Sequence, residues 1–437
     1  MGSSPEATTD DRWHCDVLIV GAGPSGCAAA MQAAAHGLDV VVADKARFPR
    51  DKCCGDGLTT SALRQLDELG LDPASIPSWI EVSDVTLRSP RGHTPRLGLP
   101  KRQGSFAAVC RRSELDASLV DLTRSKGVSV LEGHELTDVE QDERGVHATV
   151  GELHFTARYL IAADGMWSPT RKLLGLSTPD YRGDWHAFRQ YFSDVSPEAA
   201  EELVVWFEPD LLPGYAWSFP LGDGSANVGF GIRRGGSTRT KDMKQLWPDL
   251  LARPHIAEFL GPDATPEGPH RAWPIPARLG RLPLTRGRVL FVGDAGAATD
   301  PLTGEGIGQA IETGRLAVEA ICVAGLDDAA TAAGYYQRRL RRGMISDHRL
   351  AGRLSSMLSG PRSTEVVLRL VDASDWTRNN FARWLFEDYP RAAVFTPRRW
   401  HRGMFTGVGA FRSPPTAATG QPAGSAPDGA PEGAVTD

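Results

Sequence analysis

The chain has 437 residues, 41% hydrophobic and 23% charged, which suits a soluble globular protein large enough for two or three domains. Its net charge of −6 carries no electrostatic footprint of a nucleic-acid binder. No apolar run reaches the roughly 18 residues of a membrane span, and the start MGSSPEATTDDRWH lacks the basic and apolar stretches of a signal peptide, so a cytoplasmic setting is expected.

Residues 1–13 read as a disordered lead-in. From Cys15 the sequence runs CDVLIVGAGPSGCAAAMQAAAHGLDVVVADK. VLIV suits a buried parallel strand, an alanine-rich helix extends to Ala35, and DVVVADK gives a second buried strand ending at Asp44. Between the first strand and the helix, GAGPSG sets Gly21, Gly23 and Gly26 in a dinucleotide fingerprint, with Pro24 and Ser25 opening the helix. Gly21 permits the turn, Gly23 lets backbone approach a pyrophosphate, and Gly26 lets helix and strand pack. The helix N-terminus offers free N–H groups to phosphates. Asp44 stands where a carboxylate holds ribose hydroxyls, with Lys45 beside it.

RDKCCGDGLT, Arg50 to Thr59, follows with two of the six cysteines. Without paired CxxC spacing or a histidine pair a zinc site is not expected. Adjacent cysteines do not easily form a disulfide, which leaves a thiol held beside a cofactor. Cys15, Cys27, Cys110 and Cys322 fall in strand or helix patterns and read as core, and Cys53 reads the same way. Cys54 is either a functional thiol or a small buried hydrophobe.

Further on, CRRSELDASLVDLTRSKG predicts a helix burying Leu115, Leu119 and Leu122, and short strands follow over 139–150. LIAADG ends a buried strand at the Asp-Gly of AADGMWSPTRK, Ala162 to Lys172. Aromatic-rich strands then replace strand–helix alternation: AFRQYFSDV, ELVVWFEP, YAWSFPL and ANVGFGI. These predict an antiparallel sheet. GRVLFVGDAGAATDPLTGEGIGQAI returns to the first style, ending a strand at Gly293-Asp294 before a second glycine-rich loop and a helix.

The expected fold is α/β, with a discontinuous Rossmann-like unit over 14–80, 102–178 and 286–326. An antiparallel substrate sheet takes 81–101 and 179–285, a helical region 327–411, and a disordered tail 412–437. From Arg338 to Arg402 there are 14 arginines against 6 carboxylates.

The fingerprint, the Asp-Gly motif and the Gly-Asp motif together resemble the flavin-dependent family typified by aromatic hydroxylases. That resemblance implies FAD. Asp294 would bind the ribityl chain, with Gly293 in the same motif. The backbone from Pro301 through Gly304 and Gly306 to Ile307 would face the flavin ring, and Arg112 would lie near the ribose or phosphates. Asp164 would hold domains and cofactor loop together, or serve only its turn. Lys52-Cys53-Cys54-Gly55 resembles the KxCG segment of the geranylgeranyl reductase branch, with Cys54 in the matching place. PGYAWSFPLGDGSANVGFG resembles that branch's second hallmark through Tyr215, Trp217, Phe219, Pro220, Asn227 and Gly229. The fuller DKCCGDGLT is similar to actinobacterial menaquinone reductases.

The resemblance implies saturation of a carbon–carbon double bond in an isoprenoid chain, such as a menaquinone tail or a geranylgeranyl group. Cys54 and Tyr215 would face the reaction and Trp217 line it, although Tyr215 also fits as a sheet aromatic. A thiol at Cys54 would donate a proton or tune the flavin, and a close Lys52 would favour thiolate. With no second complete fingerprint, the electron donor is NADPH or a ferredoxin-type protein. Trp376, Trp384, Phe386, Trp400 and Phe405 among the arginines give either a peripheral contact with anionic lipid at the inner face of the membrane or a solvated basic face. Two rivals stand on the same scaffold. One is a monooxygenase, epoxidase or halogenase, although YAWSFP departs from the halogenase segment at its first and fifth positions. The other is a non-catalytic electron relay.

Overall fold

The computed structural model describes residues 12–236 and 238–412. The lead-in and tail expected over 1–13 and 412–437 lie almost wholly outside these residues, but Arg12 and Trp13 already belong to the first strand, Arg12–Val20.

Five parallel strands run through the first, eight-stranded sheet, in the order Ser129–Glu132, Val40–Asp44, Arg12–Val20, Leu153–Ala162 and Val289–Phe291. The first strand in sequence therefore lies at the centre, as in a doubly wound nucleotide-binding sheet. Side chains alternate across it. Val17, Ile19, Val40 and Val42 pack with the helices Pro24–Ala35, Arg112–Ser125 and Ile307–Ala324. Leu18, Val20, Val41 and Ala43 pack on the other face with the hairpin Leu136–Gln141 and Val146–Val150. Leu122, expected with Leu115 and Leu119 in the core, is only partly buried.

The second sheet runs Trp185–Ser193, Ala226–Arg233, Tyr215–Pro220, Leu203–Trp206, Asp84–Arg88 and Arg96–Gly98, with Arg271–Ile275 also on the first of these. It departs from the antiparallel expectation at one seam: Leu203–Trp206 and Asp84–Arg88 run parallel. These strands are joined through the other sheet rather than by a hairpin, so the pairing geometry of neighbours in sequence does not apply. One face packs Ala216, Val228 and Phe230 onto the helices Met243–Leu251 and Pro254–Leu260. The other carries Leu87, Val205, Tyr215 and Phe219 beneath the helices Pro361–Val371 and Asp375–Leu385.

The cysteines are all free thiols. Cys15, Cys27 and Cys110 are buried as expected. Cys322 is not core: it is exposed in the last turn of Ile307–Ala324, one position past the buried Ile321.

Candidate active site

The glycine turn divides its three tasks visibly. A side chain at Gly21, whose φ is +106°, would sit 2.3 Å from the Ala163 carbonyl oxygen, and one at Gly26 would sit 1.8 Å from the Gly21 carbonyl oxygen. Both are therefore closed to any larger residue. At Gly23 the nearest atom is an Arg50 nitrogen at 3.6 Å, so its open side belongs to the adjoining cavity. Asp44 does more than wait for a ribose. Its carboxylate accepts from Ala22 N and Ala46 N, each at 2.8 Å, and ties the glycine turn to the second strand.

That cavity has a volume of about 810 Å³ and runs from this turn to the aromatic face of the second sheet. Gly21, Gly23, Pro24, Ser25, Asp44, Lys45, Arg112, Asp164 and Asp294 line it, as do Gly304, Gly306 and Ile307. Cys54, Tyr215 and Trp217 line it too. Gly26, Gly293 and Pro301 stand behind its wall; Pro301 is buried toward Gly352, and Gly293, at φ +54°, donates its N–H to Thr313 Oγ1.

Asp164 divides its two oxygens. Oδ2 accepts from Thr170 N at 2.9 Å, which caps the short helix Pro169–Leu173, while Oδ1 is buried without a partner. Asp294 Oδ1 accepts from Thr299 Oγ1 at 3.2 Å, and Oδ2 lies 3.6 Å from Lys52 Nζ. Arg112 gives Nε and Nη2 to Asp116, each at 2.9 Å, and Arg50 reaches the same carboxylate at 3.1 Å. An open helix N-terminus, a glycine with room for phosphate and an orphaned carboxylate oxygen fit a bound FAD.

The two distant hallmark segments meet. The backbone of Gly55 and Gly57 lies against Trp217 and Phe219: a side chain at Gly55 would contact both rings, and one at Gly57 would come within 3.2 Å of Phe219. Gly229 opposite leaves room for the Trp217 ring, which a side chain there would meet at 2.4 Å. Asn227 is the hub of this contact. It accepts from Trp217 Nε1 at 3.1 Å, and its Nδ2 donates to Cys54 O at 2.9 Å and to Asp56 Oδ2 at 2.7 Å. Burial pushes the Cys54 thiol up, against the pull of the neighbouring Arg112 guanidinium.

The expected influence of Lys52 on Cys54 is not found. The Lys52 ammonium is directed to Asp294 and stacks over Trp273 at 4.5 Å, and the thiol it acts on is Cys53. Burial still outweighs it there, pushing the Cys53 thiol up to about 11. Tyr215 donates its hydroxyl to the Thr303 carbonyl, so it tethers the glycine-rich loop while lining the cavity.

Sequence reasoning missed the groups behind that loop. Arg391 is buried with Asp300 at 3.2 Å and Glu387 at 3.1 Å, and it donates to Thr303 Oγ1 at 3.2 Å. Burial raises Glu387, and raises Glu305 to about 7. Nothing local in the sequence marks this cluster. Asp56, also missed, did carry a signal, an acid between two glycines of a recognised motif; Asn227, already part of the second hallmark, proves to be its anchor.

The arginine surplus of the helical end is partly internal. Arg383 pairs with Asp388, Arg399 with Asp347, and Arg391 is buried. Trp384 and Phe386 line the cavity rather than the surface. Trp376, Val394, Phe395 and Trp400 are exposed, by 73%, 75%, 73% and 55%.

The sequence matches the FAD binding domain family over residues 14–338. Menaquinone reductase of Mycolicibacterium smegmatis is 34% identical over 81% of this chain and 87% of its own. The chain belongs to the geranylgeranyl reductase family of FAD-dependent oxidoreductases. Digeranylgeranylglycerophospholipid reductase 1 of Methanopyrus kandleri is 30% identical over 80% of this chain and 92% of its own. The solved structure of a geranylgeranyl bacteriochlorophyll reductase-like protein from Thermoplasma acidophilum superposes with a TM-score of 0.72, at 22% identity, over 89% of this chain and 99% of that one. The protein is thus an FAD-dependent oxidoreductase of the same fold.

Proposed function

We propose that the protein saturates a carbon–carbon double bond in an isoprenoid chain, with a menaquinone side chain or a geranylgeranyl group as substrate. The observation that carries this reading is the meeting of the two hallmark segments. Their contact sets a thiol into the wall of an apolar arm that continues the cofactor cavity. The names of the relatives, reductases of menaquinone and of digeranylgeranylglycerophospholipid, point the same way.

An isolated alkene is unpolarised, so hydride addition to one carbon needs a proton at the other at nearly the same time. Reduced FAD, when bound, supplies the hydride. Cys54 Sγ holds the proton, and burial keeps it on sulfur at neutral pH. Gly21, Gly23 and the start of the helix Pro24–Ala35 bind the pyrophosphate, Asp44 the ribose, and Asp294 the ribityl chain. Tyr215 fixes the loop that carries Gly304 and Gly306. Leu87, Val205, Phe207, Trp217 and Phe219 receive the tail and exclude water. Each isoprene unit gains roughly 3–4 kcal/mol there relative to water, at about 0.8 kcal/mol per methylene.

Relative to a bilayer that gain is near zero, because lipid is already apolar. Docking at the inner face of the membrane would shorten the transfer. The exposed Trp376, Val394, Phe395 and Trp400, with Arg398 and Arg402 nearby, support contact with anionic lipid. Among the described residues no helix is long and apolar enough to cross a membrane. Electrons come from NADPH or a ferredoxin-type donor in this reading. The test is anaerobic reoxidation of the reduced holoprotein. Prenyl substrate added without oxygen is expected to restore the oxidised flavin absorbance; reoxidation that needs oxygen as well as substrate would identify a monooxygenase instead.

A further inference from the structure

Asp56 has no role in the assignments so far, yet it is the most constrained residue of its loop. It is fully buried, and its backbone lies in the left-handed region at φ +68°, which a non-glycine residue adopts only at a cost. Its Oδ2 accepts two hydrogen bonds of 2.7 Å, from Tyr191 and from Asn227. Its Oδ1 is buried with no partner, and the residue lines the cavity one glycine away from Cys54. The Asn227 amide that holds Asp56 also holds the Cys54 carbonyl, so carboxylate and thiol-bearing peptide share one anchor. A glycine would satisfy the backbone without strain, so the carboxylate is retained against conformational preference.

We propose that Asp56 is a positioning residue for Cys54: clamped by Tyr191 and Asn227, its side chain fixes the peptide that carries the thiol and sets a negative charge beside the sulfur. The inference rests on Cys54 as the proton holder. The titratable and charged groups facing this pair are Arg112 from the helix Arg112–Ser125, Arg189 and Tyr191 from the strand Trp185–Ser193, the neighbouring Cys53, and Tyr215 and Cys110 across the cavity and beneath the loop. Arg112 lowers the thiol, and Asp56 opposes it after burial has raised it. Asp56 itself is raised to about 6 by burial, so it is charged over the range in which a thiol titrates. Without that charge the guanidinium would act less opposed, and the thiol would titrate lower while burial still held it up.

The test reads the thiol directly and uses no prenyl substrate, so its failure is separate from failure of the proposed reaction. In FAD-loaded protein carrying Cys53→Ser, the rate of Cys54 alkylation by iodoacetamide is followed against pH by peptide mass spectrometry. Asp56→Asn keeps the shape and removes the charge. Its alkylation midpoint is expected about one pH unit lower, with a several-fold faster rate below the midpoint and unchanged FAD content. Asp56→Gly, which suits the left-handed backbone and so preserves the fold, is expected to move the midpoint in the same direction. A midpoint that stays put or rises in either variant would overturn the proposal and leave Asp56 a purely structural residue.

Discussion

Replacing Arg391 by methionine tests how the helical end governs the loop expected to face the flavin. The guanidinium is almost fully buried between Asp300 and Glu387 and donates to Thr303, whose carbonyl accepts from Tyr215. Methionine keeps the stem volume and removes the charge, leaving two buried carboxylates facing each other. Removing one partner of a buried ion pair costs about 3–5 kcal/mol. That cost is not constant with pH. Burial already raises the Glu387 carboxyl in the native state, and loss of its cation raises it further. A carboxyl whose native pKa exceeds its unfolded one binds excess protons when folded, so stability falls as pH rises through that interval. Urea unfolding of the holoprotein, followed by tryptophan fluorescence, is expected to show the full loss at pH 8 and a clearly smaller one at pH 5.5. A loss under about 1 kcal/mol at pH 8, or a larger loss in acid, would refute the reasoning.

Gly26→Ala places a methyl group 1.8 Å from the Gly21 carbonyl oxygen and is expected to yield protein without flavin, read as the absorbance ratio at 450 and 280 nm. Cys54→Ala is expected to keep FAD and lose about 10²–10⁴-fold in prenyl reduction, the usual contribution of a positioned acid; unchanged turnover contradicts the assignment of Cys54 as proton holder. Tyr215→Phe removes one hydrogen bond to Thr303, so a shifted flavin spectrum with a turnover loss of about tenfold or less is expected; a loss as large as that of Cys54→Ala would make the hydroxyl the proton donor. Flotation with anionic liposomes is expected to carry the protein upward and to weaken when Trp376 and Phe395 become serine. No binding at physiological salt contradicts membrane docking.

The nucleotide turn was legible because its constraints are local: Gly21, Gly26 and Asp44 act on atoms that the same strand–helix–strand unit supplies. KCCG and YAWSFP were legible as segments, but not as one contact. Glycines that look like turn residues prove to be platforms for Trp217 and Phe219. The placement of Lys52 was not legible because nearness in sequence to Cys54 says nothing of Asp294 and Trp273, which lie over two hundred residues away and take its charge. The parallel seam between Leu203–Trp206 and Asp84–Arg88 is likewise a product of chain threading. The Arg391 cluster is invisible for the same reason, since its arginine sits in a helical end that reads as a basic surface.

The most direct measurement is the mass of the product formed when the FAD-loaded protein, reduced with dithionite without oxygen, is given menaquinone or geranylgeranyl diphosphate. Gain of two hydrogens in the prenyl chain, with no oxygen added, is the predicted result. An unaltered chain with both substrates, or a product formed only when air is admitted and carrying a new oxygen, would contradict the account.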